Sequence, residues 1–284
     1  MAKLLLSKEV NEKLNEEIVS EVARLSGEGI VPTLATIRVG DRGEDITYER
    51  SITKKFEKLG LAHKVFEFPE NSSDEEIISS IEKINEDKNI HGILVFKPLP
   101  DHLDKDRIIN TIDSSKDVDG VTNLSMAKIY KGDKDTFTPC TPEAVIRILK
   151  HYGVELTGKN VVVIGRSLVI GKPIGLMLIT ENATVTICHS KTRNLPEICR
   201  KADIIVTAAG VMKMVNESFV SPGQILIDVG IHVDDEGKMY GDIDFDSVES
   251  IVGAISPVPG GVGGVTTGML ALATIKASSR KENK

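Results

Sequence analysis

The sequence predicts an α/β protein of two α/β domains, the second a Rossmann-like doubly wound parallel sheet. Three observations carry this. Asn160-Val161-Val162-Val163-Ile164 is a run of branched apolar residues of the kind buried on both faces of a parallel sheet, and it empties into a glycine-bearing turn, Gly165 to Pro173. Three further apolar runs, Ala183 to Cys188, Asp203 to Ala208 and Gln224 to Val229, follow at the spacing of strands joined by helices. Upstream, Pro32 to Val39, His63 to Phe68 and His91 to Phe96 read as another set of strands with helical periodicity between them.

Each element has its own signal. Ser7 is a candidate N-cap for an amphipathic helix through about Leu25, with Val10, Leu14, Ile18, Val22 and Leu25 on one face. After the first strand, Asp41 to Asp45 reads as a polar turn and Ile46 to Leu59 as a helix with Tyr48, Ile52, Phe56 and Leu59 at helical spacing; Lys54, Lys55 and Lys58 form its solvated side. Asp74, Glu75 and Glu76 open a helix from Ser73 to Asp87, as acidic residues favour a helix N-terminus. The strand ending at Phe96 runs into Lys97-Pro98-Leu99-Pro100, where proline stops pairing. A helix near Asp104 to Ile112 precedes the charged loop Lys116-Asp117-Val118-Asp119-Gly120, one of whose carboxylates can face a ligand or solvent. Pro139-Cys140-Thr141-Pro142 opens a helix ending near Gly153, where the chain passes between domains. Near the end, Ser256 to Thr267, rich in glycine and proline, reads as a loop whose backbone can approach a ligand closely, followed by a helix to about Ser278.

The turn after Ile164 is built for a nucleotide. Gly165 allows a sharp reversal, Ser167 stands where the dinucleotide fingerprint has its second glycine, and Gly171 lets the helix start close to the strand. The other strands end in His189-Ser190, Ala209-Gly210 and Gly230-Ile231, which share the carboxyl edge of a parallel sheet. An NAD site carries an acidic residue after the second strand; Ser190, Lys191, Thr192 and Arg193 stand there instead. With Arg166 in the turn, this favours NADP, with NAD the alternative.

With 40% apolar and 27% charged residues and a net charge of −7, the 284-residue chain has core enough for two domains and no cationic excess for holding nucleic acid. The opening Met1 to Ser7 is too short for a secretory signal, and no apolar run approaches the roughly 20 residues of a membrane span. A cytoplasmic location is expected, with no membrane or nucleic-acid partner. Cys140, Cys188 and Cys199 are odd in number and lack ligand spacing, so free thiols and no metal are expected.

Taken together, Lys116 to Gly120, Pro139 to Pro142, Gly165-Arg166-Ser167 with Gly171 and Pro173, Cys188-His189-Ser190, and Pro257-Val258-Pro259-Gly260-Gly261-Val262-Gly263 occur in one order over nearly the whole chain. In this the chain resembles the bifunctional methylenetetrahydrofolate dehydrogenase/methenyltetrahydrofolate cyclohydrolase family. The resemblance implies two domains around a cleft: residues 1–142 with a returning C-terminal helix 265–284 for folate, and residues 143–264 for NADP. It also implies a homodimer, with Tyr48 and Asp119 catalytic and Tyr48, Phe96, Asp119, Pro257, Gly260 and Gly261 around a tetrahydrofolate substrate. The implied cofactor residues are Gly165, Arg166, Ser167, Gly171, His189, Ser190, Ala209, Gly210, Gly230 and Ile231. Hydride would pass from methylenetetrahydrofolate to NADP, and water would then open the methenyl product to formyltetrahydrofolate.

Three departures bear on that chemistry. The family's lysine four residues after the tyrosine is Ile52 here, and the glutamine that neighbours it is Phe96. Lys54 is off the face of Tyr48 and Lys55 lies roughly 10 Å along the axis. Joint replacement reads as one altered site, because a lone amide or ammonium in an apolar pocket is costly. The expectation is a dehydrogenase whose cyclohydrolase step is in doubt, with Ile52 and Phe96 packed together. The alternatives are a fully bifunctional enzyme that recruits Lys55 or Lys97, and a non-catalytic folate- or nucleotide-binding paralogue. The third departure, Gly264-Val265 where the family has proline and methionine, is expected to loosen the loop over the folate.

Overall fold

The structure, a computed structural model, describes residues 1–280. In chain order the elements are β1 (Lys3–Leu4), α1 (Ser7–Gly27), β2 (Thr33–Val39), α2 (Gly43–Leu59), β3 (Ala62–Phe68), α3 (Asp74–Glu86), β4 (Gly92–Val95), α4 (Lys105–Asn110), α5 (Asn123–Tyr130) and α6 (Cys140–His151). They continue with β5 (Asn160–Ile164), α7 (Gly171–Thr180), β6 (Thr184–Cys188), α8 (Leu195–Arg200), β7 (Ile204–Thr207), β8 (Ile225–Asp228), β9 (His232–Val233), β10 (Met239–Tyr240), α9 (Phe245–Val248), β11 (Ala254–Ile255) and α10 (Gly263–Ser278).

The chain divides into two compact units. The first holds residues Lys13–Cys140 and the chain from Thr267. Its sheet is parallel in the order β3-β2-β4. All seven residues of β2 are buried, as a central strand covered on both faces requires. Ala35, Ile37 and Val39 of that strand join Ile77, Ile81 and Ile84 of α3 and Ile93 and Val95 of β4 in one core. α3 starts where its acidic first turn predicts: Ser73 Oγ accepts the N–H of Glu76 and the Glu76 carboxylate accepts the N–H of Ser73, a reciprocal cap.

The second unit holds Met1–Glu12 and Thr141–Thr266. Its parallel sheet has the order β1-β11-β8-β7-β5-β6. The chain leaves β5 to one side for β6 and returns across it to β7, so the strand order reverses beside β5. The first residues of the chain belong to this unit, because Lys3 and Leu4 pair with Ala254 and Ile255; the sequence reading had grouped them with residues up to 142. That assignment could not be read locally, since a two-residue strand carries no periodicity. Of the C-terminal segment 265–284, residues 281–284 lie outside the described residues.

Two boundaries differ from expectation in ways that matter for the site. α2 begins at Gly43, taking in Glu44 and Asp45, where a polar turn was expected. α10 begins at Gly263, so Gly264, Val265, Thr266 and Thr267 are helical and the loop is shorter than the composition suggested. Gly264 therefore does not loosen a loop. A Cβ there would stand 2.5 Å from Ser7 Oγ, and the Gly264 carbonyl accepts from Asn11 Nδ2 at 2.8 Å, so the glycine permits close packing onto the start of α1. The 3₁₀ turn Glu217–Phe219 and the β9-β10 hairpin escaped the sequence reading, which has no signal for elements of two or three residues. Among the described residues no helix is long and apolar enough to cross a membrane, and no group of three or more His, Cys, Asp or Glu could hold a metal ion. The three cysteines are buried and none is in a disulfide.

Candidate active site

In the second unit the carboxyl ends of the strands assemble as the sequence implied. Gly165 has φ +136°, and a Cβ built on it would stand 2.2 Å from the carbonyl oxygen of Ala208, just beyond β7. A Cβ on Gly171 would stand 2.2 Å from the carbonyl oxygen of Gly165. Both positions tolerate only glycine, and together they draw the ends of β5 and β7 against the first turn of α7 at the place where strand order reverses. That is the crevice where a parallel sheet of this kind takes a nucleotide. Ser167 Oγ accepts from the N–H groups of Ile170 (3.1 Å) and Gly171 (3.3 Å), which ties the turn to the first residue of α7. Arg166 is exposed beside it.

At the end of β6 the Thr192 hydroxyl accepts the N–H of His189 (2.9 Å) and His189 Nδ1 accepts that of Lys191 (3.1 Å), which leaves Ser190 exposed at the tip of a tight turn. No carboxylate follows β6 before Glu197, so the polar groups offered there are hydroxyl and cationic. These residues fit an adenosine bearing a 2′-phosphate better than a bare ribose hydroxyl.

Ala209 and Gly210 are held by a group that sequence reasoning missed. Asp242, fully buried, accepts the N–H groups of Ala209 (2.6 Å), Gly210 (3.2 Å) and Val211 (3.0 Å), and its other side meets His232 Nε2 at 2.8 Å. Asp228, at the end of β8, accepts from Thr207 Oγ1 and from the N–H groups of Gly230 and Asp242 at 3.0 Å each, and from Ile243 at 2.8 Å. Burial pushes the Asp228 carboxyl up to about 6, the Asp242 carboxylate adds to the rise, and the donated hydrogen bonds oppose it. These two aspartates tie the ends of β7 and β8, and with them Ala209, Gly210 and Gly230, to a single position. Ile231 is exposed just after them. The signal was present as acidic residues after β8 and in Gly241-Asp242, but nothing in the sequence showed them turning inward.

Pro257, Gly260 and Gly261 belong to the same unit. Gly260 has φ +104°, and a Cβ on Gly261 would stand 2.5 Å from the carbonyl oxygen of Pro257, so this turn also depends on glycine. Ser7 N–H donates to the Gly260 carbonyl (2.7 Å), and Ser256 Oγ accepts from Asp228 N–H (2.8 Å), which joins the turn to α1 and to β8.

In the first unit Tyr48 meets Phe96, and Asp119 lies against Lys97, the residue after Phe96, and against Cys140. Tyr48 and Phe96 meet edge to face, ring centroids 5.8 Å apart and planes at 78°. Ile52, expected to pack with Phe96, is fully buried on α2. The charged loop is sorted by the fold. Ile93 N–H donates to the Lys116 carbonyl (2.8 Å), so the loop runs beside β4. Lys116 Nζ donates to the carbonyls of Ile84 and Asp87, and Asp117, fully buried, accepts from Val121 and Thr122 N–H. Those two residues hold the turn. Gly120, φ +60°, lets it lie against Phe137, whose carbonyl oxygen would be 2.6 Å from a Cβ.

Asp119 takes different partners from Lys116 and Asp117. Its Oδ1 accepts Cys140 N–H at 3.3 Å and its Oδ2 lies 3.8 Å from Lys97 Nζ. Burial holds its carboxyl above the usual range, opposed by the Lys97 ammonium. Lys97 is itself fixed at the backbone: Arg42 Nη2 donates to its carbonyl (3.0 Å) while the same guanidinium grips Asp45 at 3.0 and 2.8 Å. Lys55, the other candidate replacement, is half-buried on α2 rather than fully solvated, and burial with the neighbouring Lys58 lowers its pKa.

The match to known proteins covers both units. Residues 5–119 fit the catalytic-domain model of tetrahydrofolate dehydrogenase/cyclohydrolase, and residues 139–282 fit the NAD(P)-binding-domain model of the same proteins. The chain belongs to the tetrahydrofolate dehydrogenase/cyclohydrolase family. Among its relatives, bifunctional protein FolD of Carboxydothermus hydrogenoformans is 50% identical over 279 residues, 98% of this chain and 97% of that one. Bifunctional protein FolD of Clostridioides difficile is 47% identical over 281 residues, 99% and 98% of the two chains. The crystal structure of the bifunctional FolD of Campylobacter jejuni superposes with a TM-score of 0.96 at 40% identity, covering 98% of this chain and 99% of that one. The FolD of Trypanosoma brucei, solved with NADP and an inhibitor, superposes with a TM-score of 0.94 at 34% identity over 100% and 99%. The α/β architecture with a Rossmann-like second unit is that of the family.

Proposed function

We propose that the chain oxidises methylenetetrahydrofolate to methenyltetrahydrofolate with NADP, in folate one-carbon metabolism. The observation that carries the nucleotide half is the Gly165 and Ala208 closure at the strand-order reversal, with Arg166 and Ser190 beyond it and no carboxylate to meet a ribose. NADP, when bound, supplies the hydride acceptor. Gly165, Gly171, Ala209 and Gly210 give its pyrophosphate and ribose close backbone approach, Arg166 and Ser190 meet the 2′-phosphate, and His189, Gly230 and Ile231 border it.

On the folate side, Asp119 is positioned to accept from the paired amino and amide donors of the pterin, which a carboxylate does through two oxygens at once. Tyr48 and Phe96 give a rigid aromatic edge beside it. Pro257, Gly260 and Gly261 are proposed to lie against the substrate as well. Hydride transfer needs two carbons held in position and no proton carrier, so it is indifferent to the loss of lysine at position 52.

The bifunctional reading is favoured by a specific observation. A lysine ammonium is present 3.8 Å from Asp119, although it comes from Lys97 and not from position 52. Relatives 47–50% identical over nearly the full chain carry the name bifunctional. We include methenyltetrahydrofolate hydrolysis in the proposed activity, and a homodimer as its assembly. The test is purified protein assayed for methylenetetrahydrofolate-dependent reduction of NADP and of NAD, and separately for loss of methenyltetrahydrofolate absorbance. Absence of dehydrogenase activity with both nucleotides would remove the reading. Sedimentation of the same sample checks the dimer.

A further inference from the structure

The buried residues of α2 form one stripe, Asp45, Glu49, Ile52, Phe56 and Leu59, and only the last three are apolar. The hydrophobic anchorage of the helix therefore begins at Ile52, beyond Tyr48. The turns that carry Tyr48 are held down instead by buried carboxylates, each matched to an arginine. Arg38 of β2, itself buried, meets Glu49 through Nε at 3.2 Å and Glu67 of β3 through Nη2 at 2.8 Å. Arg42 takes Asp45 in a two-pronged grip, Nε to Oδ2 at 3.0 Å and Nη2 to Oδ1 at 2.8 Å, and the same Nη2 donates to the Lys97 carbonyl at 3.0 Å.

We propose that Arg42 is a positioning residue for the folate side of the site: by clipping Asp45 of α2 to the Lys97 carbonyl beyond β4, it sets the Tyr48 ring against the Phe96 ring. This rests on the folate reading given above.

Placement singles Arg42 out. Asp45 and Tyr48 are three residues apart and share a helix face, while Lys97 directly follows Phe96, so one guanidinium spans the two backbones that carry the rings. Arg38 ties α2 to β2 and β3, and Arg42 ties it to the exit of β4. The edge-to-face contact of the rings, centroids 5.8 Å apart, is weak beside charge-assisted hydrogen bonds, so it follows the backbones and does not set them. α2 also starts at its N-cap residue, Arg42, without a side-chain cap, which leaves the guanidinium to tie down its first turn. With Arg42 removed, Tyr48 loses its fixed approach to Phe96, and the nucleotide residues, which belong to the other unit, are untouched.

The test measures dehydrogenase kcat/KM for methylenetetrahydrofolate and the KM for NADP in wild type, Arg42→Ala, Asp45→Asn, Phe96→Leu and the double variant Arg42→Ala/Phe96→Leu. Arg42→Ala and Asp45→Asn should each lower the folate kcat/KM by about tenfold, with the KM for NADP within about twofold of wild type. Phe96→Leu should lower it by a similar factor. The double variant should be no more than about twofold worse than the poorer single variant, because residues that act through one contact are not additive. Should Arg42→Ala fail to fold, Asp45→Asn combined with Phe96→Leu gives the same comparison. An unchanged folate kcat/KM in Arg42→Ala, a loss there without one in Asp45→Asn, effects that multiply in the double variant, or an equal rise in the KM for NADP would each overturn the proposal. All four leave the dehydrogenase reading standing; a wild type without dehydrogenase activity removes both.

Discussion

A Cβ added to Gly165 would lie 2.2 Å from the carbonyl oxygen of Ala208, a distance no side chain tolerates against backbone. Gly165→Ala must move the turn off β7, and at φ +136° it carries backbone strain of order 1–3 kcal/mol besides. NADP binding should weaken by about tenfold at least, since about 1.4 kcal/mol is a factor of ten. Fluorescence titration of the purified variant measures this; unchanged affinity would place the nucleotide elsewhere.

Arg166→Ala should raise the KM for NADP more than that for NAD. A charge-assisted contact to phosphate contributes ~1.5–3 kcal/mol, so the preference ratio should shift by roughly tenfold or more. Parallel loss with both cofactors would show that Arg166 does not meet the 2′-phosphate.

Asp119→Asn keeps the shape of the side chain and turns one acceptor into a donor. Folate affinity should fall by roughly 10- to 100-fold, from hydrogen bonds to a charged group worth ~1.5–3 kcal/mol, with NADP affinity little changed. Calorimetric titration of each ligand separates the two, and equal folate binding by wild type and variant would take Asp119 out of the site.

Ile52→Lys should not raise cyclohydrolase activity. The new ammonium would enter a position with no exposed surface, and an uncompensated buried charge costs several kcal/mol. A lower melting temperature is expected, with no gain in methenyltetrahydrofolate hydrolysis. A stable, more active variant would reopen position 52 as the proton donor's seat.

Asp228 gives the nucleotide unit a pH signature. Its carboxyl sits at about 6, above an ordinary value of 3.8, so the fold binds a proton more tightly than the unfolded chain. Stability therefore falls as pH rises through that window, by up to ~3 kcal/mol from this group, and its penalty is complete above about pH 6. Urea unfolding between pH 4 and 7 should show a smaller fall in Asp228→Asn than in wild type. Identical slopes would mean that the hydrogen bonds from Gly230, Asp242 and Ile243 outweigh burial.

What the sequence by itself determined was what depends on neighbours along the chain. The Asn160 to Ile164 run, the glycines at 165 and 171 and the basic residues after β6 announced a parallel strand, its turn and a phosphate-bearing cofactor, because strand period, backbone freedom and charge are local properties. The Ile52 and Phe96 departures were legible in the same way. Only the tertiary structure separated the two aspartates of Lys116 to Gly120: both are equally acidic, but Asp117 is consumed by Val121 and Thr122 N–H groups while Asp119 lies beside Lys97 and Cys140. It likewise decided that Asp228 and Asp242 turn inward to brace Ala209 and Gly210, and that Met1–Glu12 joins the second unit. Apart from those of Asp117, which lie four and five residues on, the partners are tens to hundreds of residues apart, and no periodicity or propensity records a contact whose energy exists only once the strands are in register.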